Sequence, residues 1–170
     1  MTFGLDHNFP ANVHRVEGFH SNLSSRKLQQ KILKTLQEVN RHEFTFEEVT
    51  TPVEPQGIVI FEFGLSDGGG FCYLDEELLK KAVNAASKTL QVLDFFCSIR
   101  YYKGNGEKRT PLKFDYYLMR NLFGKDALEV QVFHERGPRY VSPEDLIAFL
   151  VCRVNGGQKR KTLQPLAPQF

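Results

Sequence analysis

The sequence predicts an α+β fold: a curved antiparallel sheet with about three helices packed on one face. Three observations lead to this fold class. Several segments alternate apolar and polar residues as strands do, three segments repeat apolar residues at helical spacing, and strands and helices do not alternate as they do in a parallel sheet. The chain has 170 residues, of which 41% are hydrophobic, so it is long enough to bury one core. We therefore expect a single α+β domain over residues 1–155.

The N-terminal half contains the first strands and two helices. We interpret ANVHRVEGF (11–19) as a strand. The segment SSRKLQQKILKTLQEV (24–39) is an amphipathic helix that Ser24 or Ser25 caps. Three strand segments follow, HEFTFEEV (42–49), GIVIFEFGL (57–65) and FCYL (71–74). Asp75 then caps a second helix, DEELLKKAVNAASKTL (75–90), whose acidic first turn suits the helix dipole.

The C-terminal half contains three longer strands and a last helix. The strands are VLDFFCSIRYYK (92–103), TPLKFDYYLMRNLF (110–123) and ALEVQVFHER (127–136). Ser142 caps the last helix, with Pro143 at its first position. The order strand, turn, short aromatic strand, acidic cap and helix occurs at 57–83 and again at 127–151, which suggests a duplicated strand-turn-strand-helix unit. Residues 156–170, with a basic cluster, glycines and prolines, predict a flexible basic C-terminal tail.

Strand parity divides the aromatic and basic residues of 92–136 between two faces, because successive side chains point to opposite sides. It assigns two sets to the core: Leu93, Phe95, Cys97, Ile99 and Tyr101 in one strand, and Leu112, Phe114, Tyr116 and Leu118 in the next. The strand 127–136 adds Leu128, Val130 and Val132 to the core. The helix-free face then presents Phe96, Arg100, Tyr102, Lys113, Tyr117 and Phe133, with the turn residues Lys103, Lys108 and Arg109 at its end.

Exposed rings beside cations are typical of binding surfaces. Tyr, Phe and Arg are enriched at protein interfaces, so we interpret the chain as a non-enzymatic binding or assembly module that associates with itself or with a protein partner. Single-stranded nucleic acid is the alternative ligand, because bases stack on rings and cations hold phosphates. The net charge of only +2 and the acidic residues near this face place nucleic acid second. A second layer, a terminal segment or another copy could instead cover the rings.

No motif is specific enough to name a reaction, and whether the chain is an enzyme stays open. The stretch Gly64–Gly68 fits G-x-S-x-G after an apolar strand, with Asp126 and His134 downstream, so a serine hydrolase with Ser66 as nucleophile is a third hypothesis. The next segment is a strand and not the helix that such a serine needs, which favours a hairpin loop. The five histidines lack zinc-ligand spacing and no phosphate loop is present, so we expect neither metal nor cofactor.

The remaining sequence features concern the compartment. No run approaches the roughly 20 apolar residues that span a bilayer, and the N-terminus lacks the pattern of a secretion signal. Cys72, Cys97 and Cys152 each lie in an apolar run, which predicts buried thiols in a reducing environment. We expect a cytoplasmic protein with no membrane partner.

Overall fold

A computed structural model describes residues 4–51, 56–86, 91–104, 108–156 and 161–166. Within these ranges the fold has four helices: α1 (Ser25–Val39), α2 (Phe46–Val49), α3 (Glu76–Ala85) and α4 (Pro143–Asn155). The predicted caps of the three longer helices are confirmed, since the side chains of Ser24, Asp75 and Ser142 each accept a backbone N–H of the first turn. Of these four, α2 is an addition to the predicted three.

Nine strands occupy the described part of the chain and form one antiparallel sheet, curved and unclosed. They are β1 (Arg15–Ser21), β2 (Glu43–Thr45), β3 (Ile58–Ser66), β4 (Phe71–Tyr73), β5 (Val92–Lys103), β6 (Thr110–Pro111), β7 (Asp115–Gly124), β8 (Ala127–Arg136) and β9 (Leu163–Pro165). The order across the sheet is β2-β3-β5-β7-β8-β1-β9, with β4 beside β3 and β6 beside β5. The predicted α+β class is confirmed.

Three segments differ from their predictions. HEFTFEEV is a strand only to Thr45, where a capping box between Thr45 and Glu48 starts α2. The second copy of the proposed repeat lacks its short aromatic strand, because residues 139–141 form a loop between β8 and α4. Residues 161–166 of the predicted flexible tail include β9, which pairs with β1 and buries Leu163, whose backbone bonds twice to the Asn155 side chain. The rest of that tail, except Gly156, lies outside the described residues.

The core lies between the helix layer and one face of the sheet. The predicted inward set of β5 and the inward residues Leu128, Val130 and Val132 of β8 are all buried, in one core cluster that includes apolar residues of α1 and α4. Of the three cysteines, Cys97 is buried as predicted, whereas Cys72 and Cys152 are exposed. The prediction of buried thiols is wrong for these two, because β4 is a surface hairpin strand and Cys152 lies on the outer side of α4.

A side chain fills a gap in the edge of the sheet. The Phe63 carbonyl accepts the Leu74 N–H at 3.0 Å, but strands β2 and β4 pair with the two ends of β3 and leave Phe63, on the side away from β5, without a strand partner. Asn40, the C-cap of α1, replaces that partner: its Oδ1 accepts the Phe63 N–H at 2.7 Å, and its Nδ2 donates to the Phe63 carbonyl at 3.1 Å. The amide therefore joins the helix layer to the sheet and satisfies buried backbone groups.

None of the helices in the described ranges has both the length and the apolar character needed to cross a membrane.

Candidate interaction surface

The sheet face turned away from the helices, here called the open face, is partly covered by the chain's own N-terminal segment. Residues 4–14 cross one end of this face. Gly4 exchanges backbone hydrogen bonds with Ser66 and Asp94, and the Arg120 guanidinium lies 4.4 Å from the Phe9 ring centre. His14 stacks on Phe133 at 4.8 Å. A terminal segment therefore covers Phe133, one of the rings predicted to be available for binding.

The prediction that Tyr117 lies on the open face is wrong. Tyr117 is paired with Cys97 in the neighbouring strand, so the two side chains point to the same side, into the core. Its hydroxyl donates to the Val141 carbonyl. Phe114 and Tyr116, both predicted to be core residues, lie on the open face instead, with Phe114 42% exposed. Regular alternation does not hold through residues 112–114, where the strand is interrupted, so every later side chain of β7 lies on the face opposite to the predicted one.

Asp115 is the first residue of β7, and its carboxylate is held in the core by hydrogen bonds. One oxygen, Oδ1, accepts from the Arg139 N–H at 2.6 Å and lies 2.8 Å from His134 Nε2, which must carry its proton because a carboxylate only accepts. The other, Oδ2, accepts from the Tyr101 hydroxyl at 2.6 Å and the Tyr140 N–H at 2.9 Å. Four donors thus compensate a carboxylate that is fully buried, and they fasten the loop 137–141 to the start of β7.

Two tyrosines of the core have perturbed acidities. Burial, with a contribution from the hydrogen bond to Asp115, raises the pKa of Tyr101 far above its ordinary value. Burial beside the same carboxylate also raises the pKa of Tyr117. Both hydroxyls therefore remain protonated donors in the folded protein. Each has a fixed acceptor, which indicates a structural role in place of acid–base chemistry.

A β-bulge turns Arg136 onto the open face. Regular alternation places His134 and Arg136 on the same side of β8. The pairing instead passes from Tyr117–His134 to Tyr116–Arg136, so Glu135 is the extra residue of the bulge. The Arg136 guanidinium then lies 5.6 Å from the centre of the Tyr116 ring, which is a cation–π distance.

Four rings cross the uncovered part of the open face, and we call them the aromatic row: Phe71, Phe96, Tyr116 and Phe114. Their successive ring centres are 5.8, 5.6 and 6.2 Å apart. Tyr73, in the same strand as Phe71, is 51% exposed, and its hydroxyl donates to the Asn40 carbonyl at 3.4 Å. At the other end, Lys113, Phe114, Tyr116, Arg136, Gly137 and Pro138 line an open recess of about 420 Å³. Of the row, strand parity predicts only Phe96 on this surface.

The other predicted binding residues divide into paired and exposed groups. Arg100 forms an ion pair with Glu62 on the open face. Arg109 forms a bidentate ion pair with Glu43, with N–O distances of 2.7 and 3.2 Å, and its guanidinium lies over the Tyr102 ring. Lys103, Lys108 and Lys113 are exposed near the same end of the sheet as the recess. In the part of the chain that the structure describes, neither Lys113 nor Arg136 has a carboxylate within ion-pair distance.

The three residues of the hydrolase hypothesis do not meet. The Ser66 hydroxyl is buried and donates to the Leu5 carbonyl at 3.0 Å, while accepting the Gly68 N–H. His134 bonds to Asp115, and Asp126 lies in the turn at the far end of β8, about 26 Å along the strand. A serine in this setting has no general base. Among the described residues, no three His, Cys, Asp or Glu side chains are grouped so that they could hold a metal ion.

Comparison of the chain with protein-family models, with curated proteins and with solved structures finds no match.

Proposed function

We propose that the protein is a non-enzymatic binding module that docks an acidic polypeptide segment across the aromatic row. The observation that carries this proposal is the uncovered row itself: partly exposed rings on the open face, beside cations that have no carboxylate partner among the described residues. Contiguous rings next to arginine are the residues that dominate protein interfaces. Large aromatic surfaces are seldom left bare without a binding role.

The distribution of charged residues on the open face favours one kind of partner. The cations in the middle of the sheet, Arg100 and Arg120, are already neutralised by Glu62 and Asp94. The exposed cations near the recess, Lys103, Lys108, Lys113 and Arg136, favour a partner with carboxylates at one end of its binding segment. A nucleic-acid strand carries a charge on every nucleotide and needs unpaired cations along its whole path. The pairing in the centre therefore favours a polypeptide.

The proposal is tested with a defined acidic and aromatic polymer. A random copolymer of glutamate and tyrosine should bind saturably and shift the amide NMR signals of the aromatic row. Poly-L-glutamate, which lacks rings, should bind more weakly. Phe114→Ala should weaken copolymer binding about tenfold, the size expected for an interface anchor. Leu166→Ala, which truncates a side chain that is 57% exposed beside β9, is the matched control and should leave affinity unchanged.

Three outcomes contradict the proposal. Copolymer binding that leaves the row unperturbed would place the site elsewhere. Tighter binding of a single-stranded thymidine oligonucleotide, with a steep salt dependence, would favour nucleic acid. Sedimentation of the protein as a dimer that Phe114→Glu dissociates would show that a second copy occupies the open face.

A further inference from the structure

The recess at the end of the aromatic row has the features of a selective subsite. Its floor and walls are mostly apolar, formed by Phe114, Tyr116, Gly137 and Pro138, and two cations, Lys113 and Arg136, stand at its rim. Its volume of about 420 Å³ is within the range of small-molecule and side-chain pockets. The Phe114 and Tyr116 rings are nearly parallel, with an angle of 14° between their planes.

The walls of the recess are fixed before any ligand arrives. Asp115, between Phe114 and Tyr116 in the chain, binds the backbone of Arg139 and Tyr140 and so holds the loop after Pro138 against β7. Gly137 has φ of +118°, and a Cβ there would overlap the Phe114 carbonyl oxygen and Asp115 Oδ1. Only glycine therefore permits this close approach of the two walls. A recess built on a buried, fully bonded carboxylate loses little conformational freedom when it binds.

The position of Arg136 is also fixed by the backbone. The bulge at Glu135 places its guanidinium over Tyr116 instead of on the core side of β8. A guanidinium resting on a ring keeps its outward N–H groups free to donate to a carboxylate. The adjacent ring of Phe114 is exposed and offers a stacking surface within the same recess.

We propose that this recess is a preformed subsite for an aromatic ring with an adjoining carboxylate, and that it anchors an aromatic residue next to an acidic group in the partner segment. The ring stacks on Phe114 while the carboxylate binds Arg136 and Lys113. This inference rests on the proposed function, since it names the anchor of the acidic polypeptide. A nucleotide shares the combination of ring and anion. The exposed Glu135, adjacent to Arg136 in the chain, disfavours the further phosphates that a nucleic-acid strand would bring.

Small probes test the subsite without the partner. N-acetyl-L-phenylalanine carries both ring and carboxylate, and it should shift the amide signals of residues 113–116 and 136–137. N-acetyl-L-phenylalaninamide, which lacks the carboxylate, should bind about fivefold more weakly, as expected for a partly exposed ion pair. In Arg136→Gln the carboxylate preference should fall, and in the double variant Arg136→Gln with Lys113→Gln the two probes should bind equally. Lys125→Gln removes an exposed cation in the turn between β7 and β8 and should keep the fivefold difference.

The outcomes separate this inference from the broader proposal. If the glutamate–tyrosine copolymer shifts the aromatic row but neither probe perturbs the recess, the subsite is wrong and the binding module stands. A carboxylate preference that persists in the double variant likewise overturns the assignment. Tighter binding of thymidine 5′-monophosphate than of N-acetyl-L-phenylalanine would show that the recess is a nucleotide site instead. Unchanged amide spectra of the variants outside the recess verify that they are folded.

Discussion

Replacing Asp115 by Asn tests whether one buried carboxylate holds the recess together. The carboxamide keeps one acceptor oxygen but replaces the other oxygen by an NH₂ group. That NH₂ group then faces the two donors whose acceptor it has replaced. The better orientation places the NH₂ at the position of Oδ2, because the Tyr101 hydroxyl can rotate to accept from it, whereas the Tyr140 N–H cannot. The Arg139 N–H and His134 Nε2 then keep their acceptor.

The cost of this substitution follows from the number of donors that lose their acceptor. One buried N–H without a partner costs about 1–3 kcal/mol, and the weakened Tyr101 contact adds about 1 kcal/mol. We therefore expect Asp115→Asn to lower the free energy of unfolding by about 2–4 kcal/mol in urea titrations. The Tyr140 amide should exchange with solvent faster than in the parent protein, while the Arg139 amide changes less.

Asp126→Asn is the matched control for this experiment. Asp126 is exposed in the turn between β7 and β8 with φ of 54°, a conformation that asparagine tolerates well. This variant should stay within about 0.5 kcal/mol of the parent. The reasoning is refuted if Asp115→Asn costs less than about 1 kcal/mol or leaves the Tyr140 amide equally protected.

Three further substitutions probe the parts that surround the site. Gly137→Ala should lower the free energy of unfolding by about 3 kcal/mol or more, because of its positive φ and backbone overlap, whereas Gly124→Ala, which has room for a Cβ, should cost about 1 kcal/mol or less in the same urea assay. The raised pKa of Tyr117 means that the unfolded chain releases its proton near the ordinary value of 10.0 while the folded protein retains it. Stability contributed by this group is therefore complete below that pH and declines above it, with a slope that approaches about 1.4 kcal/mol per pH unit. Tyr117→Phe should therefore reduce the loss of stability between about pH 10 and pH 11 by about 1 kcal/mol. Asn40→Ala should cost about 2 kcal/mol, because the buried Phe63 N–H loses its acceptor while the Phe63 carbonyl keeps only the Leu74 N–H. Asn22→Ala, whose exposed amide makes one backbone bond, should cost less than about 1 kcal/mol, and equal costs would refute the role of Asn40.

The periodic parts of the fold were predictable from sequence because their periodicity is undisturbed. Strands β5 and β8 begin and end where alternation predicted, and the N-caps Ser24, Asp75 and Ser142 are side chains whose only local role is to accept first-turn N–H groups. In a long alternating strand all apolar residues lie on one face, because a register shift of one residue would expose the whole set. The same rule explains why Phe96 and Arg100 were correctly assigned to the open face.

The candidate site was predictable only in part, because it is built where periodicity fails. A polar residue within an apolar strand is expected to face solvent, so Asp115 appeared to mark the outer face of β7 and its neighbours Phe114 and Tyr116 the inner one. Asp115 faces the core because four donors from three other segments, β5, β8 and the loop 137–141, make burial of the carboxylate favourable. No single-sequence pattern reveals donors that only the fold brings together.

The same departures from regularity connect the fold to the proposed binding role. A regular β8 strand would place Arg136 on the core side, where an unpaired guanidinium could not be buried, so the bulge at Glu135 is what makes an arginine possible at that position. The buried charge of Asp115 keeps the Arg139 and Tyr140 N–H donors only while their loop stays in place, and that loop begins at the recess. Stability of the core and the shape of the recess are therefore coupled through one carboxylate. A variant that loosens the loop should lose affinity for a ring-bearing carboxylate in proportion to its loss of stability, whereas Phe114→Ala should lose affinity alone.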